Sequence, residues 1–121
     1  MKHDQGEFDA ALAKQHDAGI AWANAKLIAD QLEEDAKPFL DSLQNRIDQD
    51  ANGEHSEAKL KRMAQGSGEY RVYLKGMCEA RAAANRARVE YDAAIAWFES
   101  RRSESALIRA KIEKGIFERG A

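Results

Sequence analysis

From Ser67 to Lys114 the chain contains no proline, and the two glycines in that run, Gly68 and Gly76, lie near its start. Alanine, arginine and glutamate dominate the rest, with few strand formers, and those residue types propagate a helix well. The run therefore predicts one long helix over about 68–114. At 1.5 Å per residue, that is about 70 Å if unbroken. A single helix of this length buries little by itself, so the remainder of the chain is expected to fold back on it.

Within the run one seven-residue ladder holds for four repeats. Tyr70, Met77, Ala84, Tyr91 and Phe98 occupy one row, and Tyr73, Ala80, Ala87 and Ala94 the second. Two apolar rows at heptad spacing face a partner helix, and alanine on one row permits close backbone approach. Beyond Phe98 the ladder weakens to Arg101, Ser105, Ile108 and Ile112. Trp97 lies off it, on a second stripe with Val89, Ala93 and Ala96. Two stripes imply two neighbours, one of them a short helix, another subunit or a partner protein.

Upstream, apolar residues recur at Phe8, Leu12, Ile20, Leu27, Ile28, Leu32, Phe39, Leu43 and Ile47, mostly 3, 4, 7 or 8 apart. This is helical periodicity and predicts a helix over about 7–50. Asp4 with Glu7 resembles a capping box at its start. Pro38, the only proline, predicts a kink near residues 34–38, and the acids Glu33, Glu34 and Asp35 can equally mark a second helix start. Asp50-Ala51-Asn52-Gly53 predicts a turn. A short helix follows over about 56–65, with Leu60 and Met63 inward and Lys59, Lys61 and Arg62 outward. Gln65-Gly66-Ser67-Gly68 is a second turn, with Ser67 as N-cap of the long helix. Gly115 is expected to end that helix, leaving 115–121 as a tail. The predicted fold is a single all-α domain: a long antiparallel helical hairpin with a short connecting helix. Much of the hydrophobic 44% is alanine, so the core is thin and an oligomeric bundle is expected.

Composition narrows the chemistry. One cysteine, Cys78, excludes an internal disulfide and points to a reducing, cytoplasmic setting. The first residues lack an apolar signal segment, and no run approaches the roughly 18 apolar residues of a membrane span. His3, His16 and His55 are scattered, and no Glu-x-x-His occurs, so no metal site or cofactor is expected. Cys78 follows ladder residue Met77 with no histidine nearby, which reads as a small buried or half-buried thiol. Gly66-Ser67-Gly68 lacks the lysine of a phosphate loop. No catalytic residue set emerges, and the expectation is a protein that is not an enzyme.

The net charge of −2 is unevenly spread. Residues 1–53 hold five Lys/Arg against eleven acids, while residues 54–121 hold fourteen against ten. An acidic helix beside a more basic one explains this internally; a basic face for nucleic acid is the sharper alternative. Arg81, Arg86, Arg88, Arg101, Arg102 and Arg109 are the candidate contacts for nucleic acid or a partner. Glu79, Glu90, Glu99 and Glu104 are interleaved at helix-pair spacings. The candidate oligomer interface is Tyr70, Met77, Tyr91, Trp97 and Phe98.

Glu69-Tyr70, Leu74, Ala80, Ala84, Ala87-Arg88, Tyr91, Trp97, Glu99, Arg102-Ser103, Ala106 and Arg109-Ala110 form a pattern that resembles the C-terminal half of small phage-encoded helical proteins. Ala25-x-Leu27-Ile28-Ala29-Asp30-x-Leu32-Glu33 fits the same group, so the resemblance runs from about residue 20. The glycine-rich turn and the Ile116-Phe117-Glu118-Arg119 tail fall outside it. Such proteins are often encoded near phage recombination and replication genes. The resemblance therefore implies an accessory role in DNA metabolism, on DNA or on a phage or host DNA-processing protein. The alternative is an anti-defence inhibitor or adaptor of the anti-CRISPR kind, acting by protein contact with its acidic N-terminal helix as a phosphate mimic. A secreted helical hairpin of roughly 100 residues is a third reading, and its Trp-x-Gly turn is absent.

Overall fold

In the computed structural model the backbone is described over residues 3–120 and side chains over residues 5–115. These residues form helices and turns with no strand: α1 (His3–Glu34), α2 (Ala36–Asp50), α3 (Glu57–Gln65) and α4 (Gly68–Gly120). The chain divides into two compact units. One is Ala23–Arg86; the other joins Met1–Trp22 to Ala87–Ala121.

The first unit contains the bend and the turns. Pro38 has no N–H to donate to the carbonyl of Glu34, and its ring crowds that carbonyl. The helix accordingly breaks one turn upstream, at Asp35, and restarts as α2. The break is a single residue wide: Asp35 N–H still donates to Gln31 O at 2.9 Å, and Phe39 N–H donates to Asp35 O at 2.9 Å. Asp35 stands at the cap position of α2 without a side-chain cap bond, and its carboxylate instead accepts from Gln31. Beside the break the Tyr73 hydroxyl donates to the carbonyl of Leu32, and the Tyr73 ring stacks on Phe39 at 4.3 Å. Burial pushes the Tyr73 phenol above its usual pKa, and the nearby Asp35 charge adds to the shift.

At the other end of α2, Asn52 (φ 54°) and Gly53 (φ 75°) both enter the left-handed region, as the Asn-Gly pair predicts. Gly53 N–H returns to Asp48 O at 3.0 Å and Ala51 N–H to Ile47 O at 3.0 Å, which satisfies two carbonyls at the helix end. Ser56 caps α3 by accepting from Lys59 N–H at 3.2 Å. Ser67 caps α4, accepting from Tyr70 N–H at 3.2 Å while donating to Ala64 O at 2.7 Å. α2 packs on α3, with Leu43 and Ala64 buried. Ala64 takes the inward position expected of Met63, which stays exposed; the smaller side chain lets α3 approach closely.

In this unit α1 and α4 run antiparallel. Arg46 pairs with Glu69, Phe39 stacks on Tyr73 and Asp30 meets Arg81, so the contacts move back along α2 and α1 as they move forward along α4. In the second unit the same sense holds: Phe8 meets Phe98 edge-on at 5.8 Å, and Trp22 stacks on Tyr91 at 5.5 Å. Gly19 makes room for that stack, since a Cβ there would stand 3.1 Å from Tyr91 Cε1.

The face that α1 buries differs from the one its large apolar residues predict. Leu12, Ile20, Leu27 and Ile28 are all exposed, Leu27 at 65%. The covered positions are Phe8, Ala11, Gln15, Ala18, Gly19 and Trp22 in one unit, and Ala25, Ala29 and Leu32 in the other. These repeat at helical spacings of three and four, and of the large apolar residues of α1 in the recurring set only Phe8 and Leu32 lie on the row. Alanine carries little hydrophobic weight, and the rows it forms lose to scattered Leu and Ile in any count of apolar residues. Yet where α4 offers Ala84 and Ala94, both buried, a small residue opposite permits the close approach that a leucine would block. Gln15 is the cost of this seam, with its side-chain oxygen buried and unpartnered.

Two further expectations are corrected. α4 does not stop at Gly115 but continues to Gly120. An interior glycine costs a helix about 1 kcal/mol relative to alanine without forcing an end, and Gly115 does not enter the left-handed region that would reverse the chain. Cys78 is exposed, because it lies one residue beyond the covered row. The helix already includes Asp4, and the cap proposed for its side chain lies outside the described side chains.

Candidate functional site

The seam rows of α4 define what lies beside them. Arg81, Arg88, Ile95, Arg102 and Arg109 recur at seven-residue intervals in the flanking row next to the second ladder row. A flanking row meets the edge of whichever helix lies opposite. Arg81 shows how. Its guanidinium donates to Asp30 at 2.6 Å and to both oxygens of Glu33 at 2.6 and 2.9 Å. Hydrogen bonding by Arg81 holds both carboxyls below their usual pKa, and the two carboxylates in turn raise that of Arg81, Glu33 more than Asp30. Arg88 lies over the Trp22 ring at 5.8 Å and pairs with Asp92 at 3.9 Å.

Arg101, on the ladder itself, sits over Trp97 at 5.0 Å and bonds Glu104 at 3.4 Å. The six candidate arginines therefore do not form one open stripe. Arg81 is committed to α1, and Arg88 and Arg101 are held by rings and acids. Arg86, Arg102 and Arg109 are exposed and make no ion pair among the described residues.

Of the expected interface residues, Tyr91 and Phe98 are taken up within the chain, by Trp22 and Phe8. Tyr70 and Met77 are half-buried. Trp97 alone remains open, at 44% exposure. It forms one wall of an open groove of about 480 Å³, with Phe8, Ile108 and Ile112 as the other apolar walls and Arg101, Glu104 and Arg109 at the rim.

The groove marks where the seam runs out. Phe8 stands against Phe98, and the two helices run in opposite senses. The ladder on α4 continues through Ser105, Ile108 and Ile112, which line the groove together with Gln5, Glu7 and Phe8 of α1. Ile108 and Ile112 are exposed, as is the neighbouring Leu107. Nothing in the sequence pattern alone marks Phe8 or Leu107 as a site residue. The antiparallel register was the missing information, and it needed the correct phase of α1.

Among the described residues no group of three or more His, Cys, Asp or Glu is placed to hold a metal ion, and no helix is long and apolar enough to cross a membrane. No protein-family model, curated protein or solved structure matches the chain.

Proposed function

We infer that this chain is a non-enzymatic accessory protein that works by binding another protein, through the groove beside Trp97 and the exposed end of the α4 ladder. One observation carries this reading: the ladder of α4 ends in two exposed isoleucines that line an open groove with the exposed Trp97. Exposed apolar rows of this kind, next to an open tryptophan, are characteristic of protein-binding surfaces. The alternation of Arg101, Arg102, Glu104, Arg109, Lys111 and Glu113 on the same segment weighs against a phosphate-binding stripe, in which acids are sparse. The place of the protein in phage DNA recombination or replication is supported by the resemblance of residues 69–112, and its partner is accordingly a DNA-processing protein. Inhibition of a host defence nuclease is the second form of the same contact; the eleven acids of residues 1–53 favour it.

The test is capture from phage-infected cells with the tagged full chain and its Ile108→Asp variant, together with titration of single- and double-stranded DNA at two salt concentrations. A recombination, replication or nuclease protein retained by the chain and lost by the variant supports the reading. Salt-sensitive DNA binding, abolished by Arg102→Glu with Arg109→Glu and unaffected by Ile108→Asp, would replace it with direct DNA contact.

A further inference from the structure

The exposed end of α4 carries a readable charge code as well as an apolar row. In the flanking row of the same helix, Arg81 is met by two carboxylates of the helix that covers it, Asp30 and Glu33. Seven-residue steps bring the row to Arg102 and Arg109, both exposed and flanking Ser105, Ile108 and Ile112. We propose that this segment docks an amphipathic helix of a partner protein, with an apolar ladder seated on Ile108, Ile112 and the Trp97 groove and acidic residues about seven apart facing Arg102 and Arg109. This rests on the functional reading above and specifies the chemistry of the partner.

A second copy of this chain fits the face poorly. Antiparallel self-pairing sets the flanking row against itself, so that Arg102 faces Arg109 of the other copy. Parallel self-pairing sets the second ladder row against itself, where the two copies of Arg101 would meet in the core. Either arrangement brings guanidiniums together, with Glu104 beside Arg101 as the one carboxylate bonded to them, and like-charge juxtaposition discriminates against a pairing. An acidic-flanked helix instead sets carboxylates against Arg102 and Arg109, on the side of the ladder away from Glu104. The groove also suits a helix rather than an extended peptide. Helix-in-groove recognition seats side chains at successive turns, and Trp97, Ile108 and Ile112 lie at spacings of eleven and four along one face. Burial of an exposed tryptophan beside a guanidinium supplies the apolar anchor.

The experiment uses the full chain and two synthetic helical peptides identical in their leucine ladder. One carries glutamate at seven-residue spacing beside the ladder, the other lysine. Binding is followed by titration calorimetry, with sedimentation of the chain alone alongside. The glutamate peptide is expected to bind at least about tenfold more tightly than the lysine peptide. Arg102→Glu with Arg109→Glu should reverse that preference, and Ile108→Asp should abolish binding of both. Helix content of each variant, read by circular dichroism, should stay at the parent level because all three positions are exposed. Equal binding of the two peptides, or binding of neither, overturns the proposal. So does a dimer of the chain alone that Ile108→Asp dissociates, since a second copy would then hold the face. A charge swap that works while no DNA-processing protein is captured removes the functional reading and leaves this inference; capture with no charge swap does the reverse.

Discussion

Replacing Ala29 with leucine sets the structure directly against the apolar count of the sequence. Ala29 is fully buried on the face of α1 that meets α4, whereas Leu27, two residues earlier, is 65% exposed. A leucine at 29 adds three carbons where no space is open, and overpacking of that kind costs about 1–3 kcal/mol. Leu27→Ala removes an exposed side chain and substitutes a better helix former, so its effect is within about 0.5 kcal/mol. For a chain of this length about 1 kcal/mol moves the midpoint by roughly 3–6 °C. Ala29→Leu should therefore lower Tm by about 5–15 °C, while Leu27→Ala leaves it within about 3 °C. Thermal and urea melts by far-UV circular dichroism read both. A tolerated Ala29→Leu with a destabilising Leu27→Ala would mean that α1 turns its large residues inward after all, and the small-residue seam would fall with it.

Other outcomes follow from individual contacts. Gln15→Met should raise stability by about 1 kcal/mol in a urea melt, because it removes a buried oxygen that has no partner; a loss would show that the oxygen is solvated. Gly6→Ala and Gly76→Ala have nothing within 4 Å of the new Cβ and should each add about 0.5–1 kcal/mol, while Gly19→Ala, whose Cβ meets Tyr91 at 3.1 Å, should add less or destabilise. Equal gains at all three would remove the close approach at Gly19. Asp30 and Glu33 are held below their usual values of 3.8 and 4.5 by Arg81, so their contribution is present above about pH 4.5 and is lost as pH falls through the lowered values. Acid titration of stability should consequently be shallower in Arg81→Gln than in the parent, and identical profiles would refute the pairing.

Much of the fold was legible because it depends on local signals. Asn52-Gly53 and Ser67 fix their turn and cap through backbone geometry and one hydroxyl, and both act within a few residues. Pro38 located the bend for the same reason. The ladder from Tyr70 to Phe98 was legible because aromatic residues mark its phase, and each of its positions is half-buried or buried. The phase of α1 was not legible. Its buried row is mostly alanine, and only the shape of the facing helix decides between Ala29 and Leu27. The exposure of Ile108 and Ile112 was hidden for a related reason, since their spacing continues the covered ladder and only tertiary contacts tell the two apart. The arginines divided on tertiary contacts: Arg81 and Arg102 occupy equivalent positions seven-residue steps apart, and only the helix opposite tells a structural ion pair from an open charge.

Amide hydrogen exchange along α4 tests the central claim most directly, because it reads the covered and the exposed parts of one helix in a single sample. The chain alone should show slow exchange over residues 84–98 and fast exchange over residues 106–113, which are all exposed. Adding the glutamate-flanked peptide should slow exchange over residues 101–114 and leave residues 84–98 unchanged. Uniformly slow exchange along α4 in the chain alone, at concentrations where it sediments as a monomer, would contradict the account, since the segment would then already be covered.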